Sequence, residues 1–326
     1  EFLKLSDSVR NSLLEDGNLG PDAEMLGEML DWALWDAAQK HPALTYETIL
    51  AAHLDKLVAD IVDHTKKWSY LVAFAEAFLK IAWSAETLQR VWRKRYKERY
   101  FGIDEVRMAN LKDAHSIEAA VFPSILEAPE LLTMCEGNNR WWLSIDMAHK
   151  AGFVDSVEEK VTTRGSYACI LPLLAGREVN VHDNRTTYIR EGLWQDMHIK
   201  LISQVGKEIR ILRGSFLASS IAPMAGVRYD GLWKLSSYRQ KRMGEGFRYR
   251  MELTLERVND QIQMSEVLKV PKPSHLDDWR LWERVEADFI RQTQGEAAAY
   301  AWKLKREKTR HDREQWKRAR RFRSSI

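Results

Sequence analysis

The sequence predicts an α+β fold in which a helical bundle is followed by a β-rich region and a C-terminal helix. Over the first hundred residues, apolar side chains recur three and four positions apart, the period of an amphipathic helix. From about residue 141 the period shortens to two, which is typical of strands with one solvated face. Helical spacing returns after Pro271 and Pro273. The predicted parts are a helical bundle over 1–115, a β domain over 116–273 and a C-terminal helix with a basic tail over 274–326.

The clearest helical stripe of the first part lies between residues 50 and 62. Polar side chains such as Asp55, Lys56 and Asp60 separate its apolar members, which are Leu50, Leu54, Leu57, Val58, Ile61 and Val62. A stripe of this width buries one face of a helix against its neighbours. We find no group of nucleophile, acid and base in this part, so we expect it to serve structure or the docking of a partner.

The β region is predicted from alternation. Between residues 247 and 256, Phe247, Tyr249, Met251, Leu253 and Leu255 alternate with charged or polar side chains. Residues 208–212 form a second short run, and glycines at 226, 231, 244 and 246 mark turns. Several short strands at this spacing favour a closed or nearly closed sheet. Beyond it, Ser274 and Asp277 have the spacing of a capping box at the start of the last helical segment.

Composition excludes several classes of protein. The chain has 326 residues, of which 30% are charged, and a net charge of +3. Two cysteines are too few for a disulfide framework, a zinc finger or a RING domain, so we expect a reducing, intracellular environment. The most apolar stretch, residues 71–83, contains Glu76 and Lys80 and is too short to cross a bilayer. We therefore expect a soluble protein with no membrane partner.

The charge is concentrated near the C-terminus. Residues 303–323 hold 11 Lys/Arg and 3 Asp/Glu, a net charge of 11 − 3 = +8, which leaves 3 − 8 = −5 for the remainder. A basic tail on a mildly acidic body suggests a polyanionic partner such as nucleic acid. A solvated, salt-bridged helix end explains the same composition, and the sequence leaves both interpretations open.

Four strings in the β region occur in a characteristic order. They are GSYACIL at 165–171, VHDNRTTY at 181–188, VGKEIRILRG at 205–214 and APMAGVRYDGLWKL at 222–235. Together they resemble the SRA (SET- and RING-associated, or YDG) family over about residues 138–260. The resemblance implies a PUA-like twisted β-barrel that binds duplex DNA carrying 5-methylcytosine and flips the modified base into a pocket. It implies no cofactor.

The resemblance also implies the pocket residues. Tyr188 aligns with the aromatic residue that stacks on the flipped base, and Thr187 with the threonine before it. The family's carboxylate, which accepts a hydrogen bond from the cytosine amino group, aligns with Val179, so Asp183 or Glu178 is left for that role. Where the family has a second pocket aromatic, this chain has Gly176 and Arg177, and the Arg177 guanidinium is a candidate to stack instead.

Further residues are assigned to DNA contact and to structure. Cations flank an apolar wedge before Gly165, and two arginines flank the pocket tyrosine, so the predicted contacts are Lys160, Val161, Thr163, Arg164, Arg185 and Arg190. The Tyr229-Asp230-Gly231 tripeptide is predicted to form a tight turn at Gly231, closed by hydrogen bonds of Asp230. Residues 189–204 lack the loop with which some members select hemimethylated CpG, so the preference between hemimethylated and fully methylated DNA stays open.

The predicted function is reading without catalysis. Two cysteines exclude the cysteine-rich region of a histone methyltransferase, and the nearest approach to a nuclease motif, Asp146 with residues 158–160, fits chance occurrence. We expect a nuclear reader of 5-methylcytosine that recruits a DNA methyltransferase or chromatin modifier through its helical part. The alternatives are a protein-interaction module with a degenerate SRA fold and, less favoured, the DNA-recognition subunit of a modification-dependent nuclease.

Overall fold

The structure, a computed structural model, describes residues 1–68, 76–116, 141–154, 156–157, 169–182, 184–244 and 247–323. It divides into two compact units. Unit 1 comprises Glu1–Lys112 and Lys272–Leu281, and unit 2 comprises Asp113–Pro271 and Trp282–Ile326. The segment Lys272–Leu281, most of which the sequence assigns to the C-terminal helix, thus belongs to unit 1.

Unit 1 is helical, as the 3.6-residue period predicts. Its helices are α1 (Phe2–Glu15), α2 (Ala23–Ala37), α3 (Tyr46–Ala51), α4 (Leu54–Trp68), α5 (Glu76–Tyr96), α6 (Glu98–Phe101) and α7 (Ile103–Ser116). The predicted stripe lies mainly on α4, where Leu54, Leu57, Val58, Ile61 and Val62 are all buried. The hydrophobic core of unit 1 therefore forms along the face that the sequence indicates.

The last helical segment begins differently from the prediction. Helix α10 (Pro273–Gln294) follows α9 (Met264–Leu268) and supplies residues to both units. Ser274 donates from its backbone N–H and from its hydroxyl to the carboxylate of Asp7, at 2.8 and 2.9 Å. Asp277 instead accepts hydrogen bonds from Arg10 at 2.8 Å and shares one with His53 at 3.2 Å. The capping box was therefore a wrong prediction, because Asp7 satisfies this helix start from a distant part of the sequence.

In the residues that the structure describes, unit 2 is built on a seven-stranded sheet. Its strands are β1 (Trp141–Trp142), β2 (Cys169–Leu173), β3 (Arg177–His182), β4 (Arg185–Leu193), β5 (Glu208–Gly214), β6 (Val227–Met243) and β7 (Arg248–Arg257). The strand order is β2-β5-β6-β7-β4-β3, with β1 paired to β6. Only β2 and β5 are parallel among these pairs. The α+β class is confirmed.

The predicted closed barrel is not confirmed. Among the described residues, the path of paired strands ends at β2 and β3 and does not close. The nearest approach to closure is a pair of hydrogen bonds, one from the Ala218 N–H to the Gly176 carbonyl and one from the Glu178 N–H to the Ala218 carbonyl. The sheet is thus open but strongly curled, which brings residues of β3 close to residues that follow β5.

The alternation predicted for the last strand holds from residue 248 onward. Met251, Leu253 and Leu255 are buried in the interior of the curled sheet. Phe247, which the sequence pattern placed at the start of the same stripe, precedes the strand and is 77% exposed. A smaller cluster on the opposite face packs Tyr229 of β6 against Phe153, which follows helix α8 (Ile145–Lys150).

The basic tail is helical over its described length. Helix α11 spans Glu296–Arg323. Arg306 forms ion pairs with Glu283 and Glu286, and Arg310 also reaches Glu283. Part of the tail's charge is therefore neutralised within unit 2. Of the helices in the described residues, none combines the length and the apolar character that a membrane crossing requires.

Candidate functional site

The predicted stacking residue lies inside the curled sheet. Tyr188 is fully buried, and its hydroxyl donates a hydrogen bond to the Ala175 carbonyl at 2.9 Å. Gly176 has a φ of +86°, and a Cβ there would lie 3.1 Å from Tyr188 Cε2 and 2.7 Å from the Ile189 carbonyl oxygen. Only glycine fits this position, for conformational as well as steric reasons. Two predicted pocket residues are thus brought into contact.

Glu178 is the cross-strand partner of Tyr188 in the antiparallel pair β3–β4. Its carboxylate is fully buried and is held by the fork of the Arg213 guanidinium, with Nη2 2.8 Å from Oε1 and Nε 3.0 Å from Oε2. A carboxylate has about four lone-pair sites, so its hydrogen bonds with Arg213 leave acceptor capacity unused. The role of Glu178 as reader of a cytosine amino group stays a prediction. Asp183, the other candidate, lies outside the described residues.

Arg213 and Glu178 belong to a larger buried ion network. Arg213 Nη1 lies 2.6 Å from Asp230 Oδ2, and Arg228 Nε lies 2.6 Å from Asp230 Oδ1. The four side chains carry two positive and two negative charges, and all are buried. The Arg213 guanidinium also lies over the ring of Trp233, 4.7 Å from its centroid. The charges therefore balance inside the sheet, which is the condition for burying them.

The network shifts the pKa values of Asp230 and Arg213. Burial alone would raise the pKa of Asp230, but the charges of Arg228 and Arg213 outweigh it and lower that pKa. For Arg213, burial opposes the charged form, yet the carboxylates of Glu178 and Asp230 raise its pKa. Both groups thus remain ionised at neutral pH.

The network also explains the curl of the sheet. Glu178 is on β3, Arg213 on β5 and Asp230 on β6, and β3 is separated from β5 by three strands in the sheet order. A contact between β3 and β5 therefore crosses the interior. Removing one partner of a buried ion pair costs about 3–5 kcal/mol. The network is accordingly expected to stabilise the curled form of the sheet.

The Tyr229-Asp230-Gly231 tripeptide lies within strand β6, so its assignment to a turn was wrong. Gly231 has a φ of +90°, and a Cβ there would lie 2.4 Å from the Oε1 atom of Gln261. The Gln261 amide occupies that space because it bonds both backbone groups of Leu232, at 2.7 and 2.9 Å. Asp230 serves the ion network, and Tyr229 packs on the opposite face. The glycine thus makes room for a side chain.

The other predicted pocket and DNA-contact residues are distributed over the sheet. Thr187 is one residue away from Tyr188 and so points to the opposite face, across from Thr254. Arg177 lies 3.6 Å from Glu191, and Arg185 lies 3.6 Å from Glu256. These three residues do not join Tyr188 on the interior face.

Arg190 is on the interior side of β4, 3.5 Å from His198 Nε2. Burial, and then the charge of Arg190, lower the pKa of His198 to about 4, so this imidazole is neutral at physiological pH. The remaining predicted DNA contacts lie outside the described residues: Lys160, Val161, Thr163 and Arg164.

The sequence pattern did not single out Arg213, Arg228 or Trp233 as members of the site. A signal for Arg213 was present, because it follows Ile209 and Ile211 at a spacing of two and therefore shares their interior face. A charged residue at such a position predicts a buried partner of opposite charge.

No family model matches the sequence, and no curated protein matches it. Among solved structures, the chain is similar to a modification-dependent TagI restriction endonuclease, with 16% identity and a TM-score of 0.31, over 42% of this chain and 54% of that one. It thus spans about half the length of that endonuclease. A TM-score this far below 0.5 does not establish a shared fold.

Two further similar structures carry SRA or SUVH names. One is the SUVH5 SRA domain in complex with fully methylated CG DNA, with 13% identity and a TM-score of 0.30, over 38% of this chain and 91% of that one. The other is Arabidopsis thaliana SUVH6 in complex with SAM, with 17% identity and a TM-score of 0.32, over 54% of this chain and 35% of that one.

Proposed function

We propose that unit 2 reads 5-methylcytosine in duplex DNA by receiving the flipped base beside Tyr188, and that it does so without catalysis. The observation that carries the proposal is the register of β3 and β4, which sets Glu178 opposite Tyr188 and Gly176 against the tyrosine ring. The sequence strings that resemble the SRA family supply the ligand class. An aromatic face and a carboxylate on one interior surface suit recognition of a cytosine.

The energetics of base flipping are compatible with these groups. Extracting a base from the duplex costs a few kcal/mol. Stacking on an aromatic ring returns about 1–3 kcal/mol, and hydrogen bonds to the base edge add to it. Cytosine presents an exocyclic amino donor, for which the unused lone pairs of Glu178 are acceptors.

Entry of a base requires one local movement. In the structure the Tyr188 ring contacts Gly176, and the Tyr188 hydroxyl is bonded to Ala175. The turn at residues 174–176 must therefore move away from the ring before a base can stack there. Glycine at 176, with its positive φ, belongs to the part of the chain that has to move.

The test compares two substitutions of the same residue. Tyr188→Leu keeps most of the buried volume but removes the aromatic face, whereas Tyr188→Phe keeps the face and removes only the hydroxyl. Fluorescence anisotropy with unmethylated, hemimethylated and fully methylated duplexes should show methyl preference for the wild type and Tyr188→Phe, and none for Tyr188→Leu. Thermal unfolding checks that both variants are folded. Retained preference in Tyr188→Leu refutes the pocket, and duplex cleavage in the presence of Mg²⁺ refutes a purely recognising role.

A second function is favoured by a specific observation. Tyr188 and Glu178 both have partners within the protein, and an interaction module whose sheet is purely structural would have the same arrangement. That candidate predicts equal affinity for methylated and unmethylated duplexes in the wild-type protein. The same titration therefore separates the two functions.

We further propose that unit 1 docks a protein partner, a DNA methyltransferase or a chromatin modifier, in the nucleus. Its support is the exposure of large aromatic side chains: Trp35 and Trp83 are each 64% exposed and Phe101 69%. Tryptophan is enriched where proteins bind one another. Co-sedimentation with a purified DNA methyltransferase should be lost in a Trp35→Ser, Trp83→Ser variant, and equal co-sedimentation of the variant would refute the docking surface.

A further inference from the structure

The far end of the β6–β7 hairpin is strongly cationic. We call the hairpin end residues 239–243 of β6 together with residues 247–250 at the start of β7. These residues contain five cations, Arg239, Lys241, Arg242, Arg248 and Arg250, and the turn between the two segments contains one acid, Glu245, which lies outside the described residues. The register places Lys241 directly opposite Arg250 and Met243 opposite Arg248. Like charges in directly opposite positions repel each other, so the hairpin end is electrostatically unfavourable on its own.

Most of this charge is not neutralised by the residues that the structure describes. Arg250 is paired with Glu252 at 2.8 Å and lies 4.0 Å from Glu191. Within the described part of the chain, no carboxylate lies within 4.0 Å of a side-chain nitrogen of the other four cations, all of which are exposed. An anionic ligand would relieve the repulsion that the described residues leave in place.

Four of the five cations share one face. Leu253 pairs with Tyr188 on one side and with Tyr238 on the other, so these side chains mark the interior face. Arg239 and Lys241 are an odd number of positions from Tyr238, and Arg248 and Arg250 are an odd number of positions from Leu253. Since side chains alternate along a strand, these cations point away from the sheet interior. Residues two apart on one strand are about 6.6 Å from each other. The face thus offers a row of cations suited to the repeating charges of a polyanion.

Exposed apolar side chains accompany the cations. Phe247 is 77% exposed, and the Arg242 guanidinium lies 5.6 Å from the centroid of its ring. Strand β4 ends beside the hairpin end, with Leu193 opposite Arg248, and Trp194 directly after it is 53% exposed. Cations interleaved with exposed aromatic rings are typical of surfaces that contact both the phosphates and the bases of nucleic acid.

We propose that the hairpin end is a second DNA-contacting surface, which binds the phosphates of a duplex irrespective of its methylation. The inference rests on the proposed function in taking DNA as the ligand. The hairpin end differs from the Tyr188 pocket because it supplies salt-dependent affinity for DNA and no selectivity for methylation.

Protection of a sheet edge is a rival explanation for the cations. Beyond Leu235, strand β6 pairs only with β7 in the described residues, and Lys or Arg on such an edge discourages pairing with another chain. Edge protection does not account for the exposure of Phe247 and Trp194. It also predicts a different result, namely self-association without loss of DNA affinity when the cations are removed.

The test is the salt dependence of duplex binding by the full chain. A Lys241→Gln, Arg248→Gln variant removes two cations of the outer face, and the slope of log K against log salt falls by about one unit for each phosphate that is no longer neutralised. We expect a slope lower by about two units, equally for methylated and unmethylated duplexes. Lys234→Gln is the matched control, because Lys234 is exposed on the same strand but lies in register with Glu208 and Glu256. Phe247→Ser should weaken both duplexes without changing the slope.

The outcomes separate this inference from the proposed function. A wild-type slope in the double variant overturns the hairpin surface even where methyl preference is intact. A wild-type protein without methyl preference whose slope still falls in the double variant supports the hairpin surface and refutes the Tyr188 pocket. Edge protection is the explanation if sedimentation shows that the double variant self-associates while its affinity for DNA is unchanged. If the double variant loses binding to phosphatidylserine vesicles while its binding to DNA is unchanged, the surface is assigned to membranes and the proposal is overturned.

Discussion

Glu178→Gln tests whether the buried ion network holds the sheet in its curled form. The substitution keeps the shape of the side chain but leaves Arg213 with one carboxylate, Asp230, in place of two. Two charge-assisted contacts are weakened, at 2.8 and 3.0 Å, and each hydrogen bond to a charged group contributes about 1.5–3 kcal/mol. Loss of both contributions gives about 3–6 kcal/mol, which overlaps the range of about 3–5 kcal/mol for broken buried ion pairs. It is a large fraction of the stability of a typical domain.

Urea unfolding, followed by tryptophan fluorescence, measures this loss because Trp233 lies against Arg213. The control is the double variant Glu178→Gln, Arg213→Met, which removes the uncompensated guanidinium. If the two residues interact as described, the double variant is destabilised by less than the sum of the two single variants, by about 0.5–3 kcal/mol. Additive effects, or a loss below about 1 kcal/mol for Glu178→Gln, would refute the role of the network.

Three further predictions concern other parts of the chain. Gly176→Ala should lower the free energy of unfolding by about 1–3 kcal/mol, since alanine is strained at positive φ and contacts the Tyr188 ring; an unchanged melting temperature would contradict this. Although burial raises the pKa of Asp277, hydrogen bonds from His53 and Arg10 lower it to about 2 from 3.8, so about 2.5 kcal/mol of stability is present above pH 4 and lost as the pH falls toward 2. Acid titrations of the wild type and of Asp277→Asn should differ over that interval, and parallel curves would show that this carboxylate is not the cause. Deletion of residues 303–326 should weaken binding to all duplexes alike and lower the salt slope, whereas an unchanged slope would favour a purely structural helix end.

Much of the fold could be predicted because its pattern is local. The stripe that includes Leu57 and Ile61 sets a helix through spacing alone, and the alternation of Met251 and Leu253 sets a strand in the same way. Neither requires knowledge of what the element packs against.

The errors arose where a distant residue decides the local structure. Asp7 satisfies the helix start at Ser274 from 267 positions away, which no capping pattern can reveal. Gly231 looked like a turn residue because glycine is common in turns, but here it makes room for the Gln261 side chain. Arg213 was passed over because charged residues on a strand usually face solvent.

The candidate site was predictable in part. Sequence resemblance singled out Tyr188, Gly176 and Glu178, and the structure brings these three together on β3, β4 and the turn before β3. The sequence resemblance did not reveal that the Arg213 guanidinium binds Glu178, because this contact crosses the curled sheet between strands that are not neighbours.

Fluorescence of 2-aminopurine placed beside the target cytosine tests the central claim most directly, because this analogue becomes brighter when a neighbouring base leaves the stack. Binding of the wild-type protein should increase the emission with a 5-methylcytosine duplex and leave it unchanged with an unmethylated duplex, and Tyr188→Leu should abolish the increase. Equal emission from both duplexes, at concentrations where both are bound, would contradict base flipping beside Tyr188.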